Sequence, residues 1–95
     1  MEIQRARCIG VVDGSMFILE GGETVTLAGV HAPRMGIPGG SAMRTVLQRH
    51  VQDQEIVYEQ VGRDKSGFAA VSASVNKQDL TAVMKQALVD YGYVN

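Results

Sequence analysis

The residues able to do chemistry are few and scattered. Asp13, Gly14 and Ser15 form one short run, His31 and Arg34 flank Ala32-Pro33, and Arg63, Asp64 and Lys65 form a third group. A serine with a histidine suggests nucleophilic attack, and arginines suggest anion binding, through guanidinium forks that match carboxylate or phosphate oxygens. Neither reading is complete. No third residue is evident to orient His31, and Asp13 before a glycine reads as a turn former. His31, His50 and the single cysteine, Cys8, show no zinc-ligand spacing. Cys8 cannot close an internal disulfide. With no His or Cys near it in sequence, it reads as a small buried apolar residue and not as a reactive thiol.

Alternation and turn residues show what must position these groups. Gln4 to Val12 reads as a first strand with Arg5 and Arg7 toward solvent, and Met16 to Glu20 as a second. Glu23 to Val30, rich in β-branched residues, is a third. Asp13-Gly14 and Gly21-Gly22 read as two-residue hairpin turns in which glycine accepts positive φ. Pro33 ends the sheet, and a glycine-rich loop follows to Gly40. Ser41 reads as the N-cap of an amphipathic helix carrying Ala42, Met43, Val46, Leu47, His50 and Val51 on one face. Glu55 to Val61 and Phe68 to Val75 are further strands around a polar turn, Gly62 to Gly67, and Asn76-Lys77-Gln78 is another turn. A last helix starts near Asp79 or Thr81 and stops at Gly92, after which Tyr93 and Val94 trail off. The order βββαββα predicts a mainly β protein, a five-stranded, partly open Greek-key barrel of the OB type with a helix plugging one end.

Length and charge bound the function. Ninety-five residues make one domain, spanning 1–95, with no room for a second core. Ten acidic against nine basic residues give a formal net charge of −1. Tight non-specific nucleic-acid binding is therefore disfavoured, because phosphate neutralisation supplies most of that affinity. No apolar run approaches the roughly 20 residues of a membrane helix. The first residues lack an apolar signal core, so the expectation is a soluble monomer, cytoplasmic or a trimmed secreted or periplasmic form.

Four motifs in register add a resemblance. Val11-Val12-Asp13-Gly14-Ser15-Met16, then Val25 to Arg34 (Val-Thr-Leu-Ala-Gly-Val-His-Ala-Pro-Arg), then Asp64 to Phe68, then Ala87 to Gly92, resemble the staphylococcal-nuclease (thermonuclease-like) family. Between them, Gly39 to Ala42 with Val46-Leu47 looks like the start of that family's helix. The resemblance covers nearly the whole chain, Arg5 to Val94, though the last helix needs a few extra residues around 79–84. It implies an OB barrel and, in active members, calcium-dependent phosphodiester hydrolysis: two aspartates hold calcium, a glutamate is the general base and two arginines clamp the phosphate.

All five of those positions differ here. Ser15 and His31 stand where the resemblance implies the calcium aspartates, and Arg34 where it implies the base. Thr26 and Phe68 replace the two arginines, and Ser66 replaces a tyrosine. Neutral hydroxyl and imidazole groups are poor calcium ligands, and a guanidinium cannot accept a proton. Removing one electrostatic stabiliser costs about 10²–10³ in rate, and losing metal, base and both clamps leaves no recognisable mechanism. The turn residues Asp13, Gly14, Gly29, Ala32, Pro33 and Gly67 are kept.

The sequence thus argues for a non-catalytic nuclease-like domain, without calcium or other cofactor, that binds a protein partner or an anionic ligand. The alternatives are a divergent nuclease with displaced catalytic residues and a weak, non-hydrolytic binder of single-stranded nucleic acid. The candidate ligand pocket comprises Asp13, Ser15, Thr26, His31, Arg34, Arg63 and Phe68. Lys65 and Arg44 would add to a basic rim there. Scattered surface charge is the favoured reading over such a patch, and Phe68 is read as filling a vacated cavity.

Overall fold

One bent strand carries the architecture. In the computed structural model, which describes residues 2–93, β1 (Ile3–Val11) is interrupted by a bulge between Cys8 and Gly10. Before the bulge β1 pairs antiparallel with β4 (Glu55–Arg63), from Ile3↔Glu59 to Arg7↔Glu55. From Cys8 onward it pairs with β2 (Met16–Leu19), ending at Val11↔Phe17. The bulge bends the strand, so one segment serves two neighbours. Then β2 pairs with β3 (Thr24–Leu27), and β4 with β5 (Ala69–Val75). Parallel pairing of β3 with β5, Val25↔Ala69 to Leu27↔Val71, closes the ring. The result is a closed five-strand β-barrel of OB-fold-like topology, where the sequence suggested a partly open one. A two-residue β6 (Gln78–Asp79), not foreseen, extends β5 through a turn with Asn76 and Lys77 both at positive φ.

Period-two alternation fills the barrel. Phe17, Leu19, Val25, Leu27, Ile56, Val71 and Val75 point inward and are fully or nearly fully buried. Two helices add to this core: α1 (Gly40–Val51) supplies Met43, Val46, Leu47 and Val51, and α2 (Leu80–Asp90) supplies Leu80, Met84 and Leu88. Each such large apolar side chain contributes about 1.5–3 kcal/mol by leaving water. No described helix is long and apolar enough to cross a membrane.

Polar groups tie α1 to the bent strand. Arg44 Nε donates to the Val11 carbonyl (2.9 Å) and Gln52 Nε2 to the Ile9 carbonyl (3.2 Å). The loop after α1 pairs with Cys8 in both directions, Asp53 N to Cys8 O and Cys8 N to Gln54 O, each 2.9 Å. These bonds satisfy backbone groups of β1 beyond its register with β4.

Several local expectations need correction. The first two hairpins have four-residue connections, 12–15 and 20–23, in place of two-residue turns. Gly14 is absent from the positive-φ glycines; it is needed because a Cβ there would stand 2.6 Å from Met43 Cβ and 2.8 Å from Ala32 Cβ. Ser41 is not the N-cap. The helix starts earlier, after Gly39 in the left-handed region at φ 90°, and with no side-chain cap. Buried Gly40 begins it because only a residue without Cβ fits against the Arg34 carbonyl. At the far end of the chain, Asp79 caps α2 by accepting from Thr81 N (3.1 Å). Gly92, at φ 83°, ends α2 as expected, with Gly92 N bonded to Val89 O and Tyr93 N to Leu88 O. That pair is a Schellman motif. Tyr93 does not trail off: it packs half-buried against the core with its ring over Gly39. Val94 lies outside the described residues.

Candidate functional site

A groove of about 690 Å³ runs across the outside of the β3–β5 seam. Its floor includes Thr26 and Ala70, which are register partners. One wall is the segment after β3, from Ala28 through His31 to Arg34; the other is the tip of the β4–β5 hairpin, Arg63 to Ser66.

Local chemistry fixes both walls. Ala28 N donates to Val71 O (2.9 Å), and Thr81 Oγ1 donates to Ala28 O (3.4 Å), so β5 and α2 hold the start of the first wall. Its far end, at Arg34, is held by close approach. The Arg34 carbonyl accepts from Ile37 N (3.3 Å) and lies against Gly40, while Gly39 lies under the Tyr93 ring. In the second wall, a bulge between Gln60 and Gly62 bends the hairpin. Asp64 Oδ1 then accepts from Ser66 N and Phe68 N, both 2.9 Å. Gly67 takes φ 90° to complete the turn. Arg63 Nη1 donates to the Gly67 carbonyl (2.9 Å), which orients the guanidinium and leaves its other N–H donors available.

The candidate residues therefore divide. Thr26, His31, Arg34 and Arg63 line the groove together, and Lys65 joins them. Asp13, Ser15 and Phe68 are outside its lining. Asp13 is almost fully buried, and its Oδ1 accepts from Ser15 N (2.8 Å), Ser15 Oγ (3.2 Å) and Met16 N (2.9 Å). It is a turn residue, and the Ser15 hydroxyl is bonded to it. Phe68 does not fill a cavity: it is 40 % exposed and outside the buried core. Arg44 belongs to the barrel strap described above and not to the rim.

Charge at the groove differs from the scattered pattern expected. Arg34, Arg63 and Lys65 line one cleft with a single carboxylate, Asp64, one of whose oxygens is held by two backbone N–H groups. The sequence reading missed Lys85. Its Nζ would be 3.8 Å from a Cβ placed on Gly29, so an α2 ammonium lies beside the first wall. A four-residue helical step cannot reveal that, because the contact joins residues 56 apart. By contrast, the second depression, about 280 Å³ on the β4–β5 face, is lined by Glu59 and Asp79 with no cation.

Burial pushes the Cys8 thiol above its ordinary value, only partly offset by backbone hydrogen bonding at Gly10. The thiol is fully buried, which fits a core residue. Among the described residues, no three His, Cys, Asp or Glu side chains gather as a metal-binding group.

Fold and groove together define a class: an OB-fold-like barrel with a cationic cleft beside its β4–β5 loop. No protein-family model matches the chain, and no curated protein matches it.

Proposed function

We propose that this chain is a nuclease-like OB domain that binds and does not cut, with the β3–β5 groove receiving an anionic ligand or the acidic surface of a protein partner. One observation carries the reading: Arg34, Arg63 and Lys65 line the same cleft, opposed by one carboxylate already engaged in its turn. Guanidinium groups provide paired donors for carboxylate or phosphate oxygens, and a concave wall focuses their field. The volume is in the range of ligand sites, roughly 300–1,000 Å³. Loops at this place on OB barrels are a frequent binding position.

The non-catalytic half of the proposal rests on residue chemistry. Arg34 replaces the base that the resemblance implies, and a permanent cation cannot take a proton from water. Asp13, the nearest carboxylate to the substituted calcium positions in sequence, is held by three donors in a turn.

Calcium titration followed by NMR, paired with a single-stranded DNA cleavage assay, tests this. The expected result is no calcium-dependent shift over residues 13–34 and no cleavage. A localised shift with cleavage would instead establish a divergent nuclease.

A further inference from the structure

We propose that the occupant of the groove is an acidic segment of a partner protein, rich in glutamate or aspartate, and not a nucleic-acid strand. This rests on the reading of the groove as an anion site and narrows its ligand.

The lining itself carries the first argument. No Phe, Tyr or Trp lines the groove, and the aromatic ring in its lining is the imidazole of His31. Binders of single strands stack bases on aromatic rings, worth about 1–3 kcal/mol per base, and combine that with backbone charge. Here the floor is Thr26, Leu27 and Ala70, and Phe68 at the hairpin tip is outside the lining. The groove therefore supplies charge recognition with no Phe, Tyr or Trp platform for bases.

Donor type and arrangement carry the second. Arg63 is oriented by its bond to Gly67 O, while Arg34 is anchored through its backbone next to Gly40. Lys65 is exposed on the hairpin turn, and Lys85 stands beyond Gly29 on the other wall. Cations thus flank the cleft from two sides. Carboxylates on flexible side chains can reach each of them separately, and arginine takes a carboxylate in a paired geometry.

The rest of the surface carries the third. Outside the groove, Arg5 is paired with Glu55 at 3.8 Å and Arg7 with Asp53 at 3.7 Å, and the whole chain has a net charge of −1. A long polyanion would run past the groove onto a surface that offers little excess positive charge. A short acidic segment needs only the groove.

The test is fluorescence anisotropy on the full chain with labelled hexaglutamate, hexaglutamine and an oligothymidylate, at low and at physiological salt. Pyrophosphate serves as competitor. Hexaglutamate is expected to bind, to weaken with salt and to be displaced by pyrophosphate, while hexaglutamine and oligothymidylate leave the anisotropy flat. Arg34→Glu with Arg63→Glu should lose about tenfold or more in affinity, and Lys85→Glu several-fold, since charge reversal replaces attraction by repulsion. Thermal melting checks folding, and Arg34→Gln provides a milder variant expected to weaken binding in the same direction. Tighter binding of oligothymidylate than of hexaglutamate would overturn the partner class while leaving the anion site standing. Hexaglutamate binding that ignores Arg34 and Arg63 would overturn the location. No response to either hexaglutamate or pyrophosphate would remove the anion site itself.

Discussion

Asp13 is the residue whose role is most tightly specified. One carboxylate oxygen accepts from Ser15 N, Ser15 Oγ and Met16 N, and the residue is only 7 % exposed. Truncation in Asp13→Ala leaves these donors without their acceptor, at a cost of about 1–3 kcal/mol. Asp13→Asn, which keeps an oxygen there, should cost less; urea denaturation of the two variants checks the order. Cys8 makes a pH prediction. Its thiol is fully buried, and burial raises it above the ordinary value of 9.0; Tyr58 is raised for the same main reason. Folding therefore favours the protonated forms. The associated stability is complete below the unfolded thiol value and is lost as pH climbs through 9.0 toward the folded one. Denaturant midpoints should fall in that alkaline window, less so in Cys8→Ala. Native Cys8 should also resist alkylation at neutral pH and react once unfolded.

At the scale of elements, the groove depends on how α1 begins and how α2 ends. Gly40 admits the Arg34 carbonyl, and Gly39 admits the Tyr93 ring that the α2 Schellman turn returns to the core. Gly40→Ala should push the 34–39 segment off the helix, costing about 1–3 kcal/mol and weakening anion binding together. Gly92→Ala, strained at φ 83°, should cost about 1 kcal/mol and act on stability first. Thermal melts beside binding titrations separate the two effects. These contacts also mark where the sequence stopped being legible. Element order, the Asp64–Gly67 turn and the Gly92 stop rest on local rules, and alternation or glycine placement shows them directly. Gly14 and Gly40 looked like ordinary turn and loop glycines, yet close packing with Met43 and Arg34 is what requires them. Ser41 had the right chemistry for a cap, and tertiary packing set the helix start ahead of it, at Gly40. β6 is two residues long, too short for any periodicity to announce. Likewise Thr26, His31, Arg34 and Arg63 could be nominated one by one, but their meeting depends on the β3–β5 closure, and Lys85 joins through a helix far along the chain.

For the whole molecule, the central matter is a local excess of positive charge on a chain whose overall net charge is −1. Net charge gives no long-range steering, so recognition has to arise within the cleft, over distances comparable with the screening length of about 8 Å at physiological salt. Closure of the barrel fixes the floor of that cleft, since β3 and β5 are hydrogen-bonded neighbours beneath it. A backbone amide NMR titration of the folded chain with pyrophosphate tests this most directly. Saturable shifts should concentrate at residues 26–34 and 63–70, shrink with added salt and vanish in the Arg34→Glu, Arg63→Glu double variant. Shifts spread over the β1–β4 face, or none at all, would contradict the claim that this barrel carries an anion-binding groove.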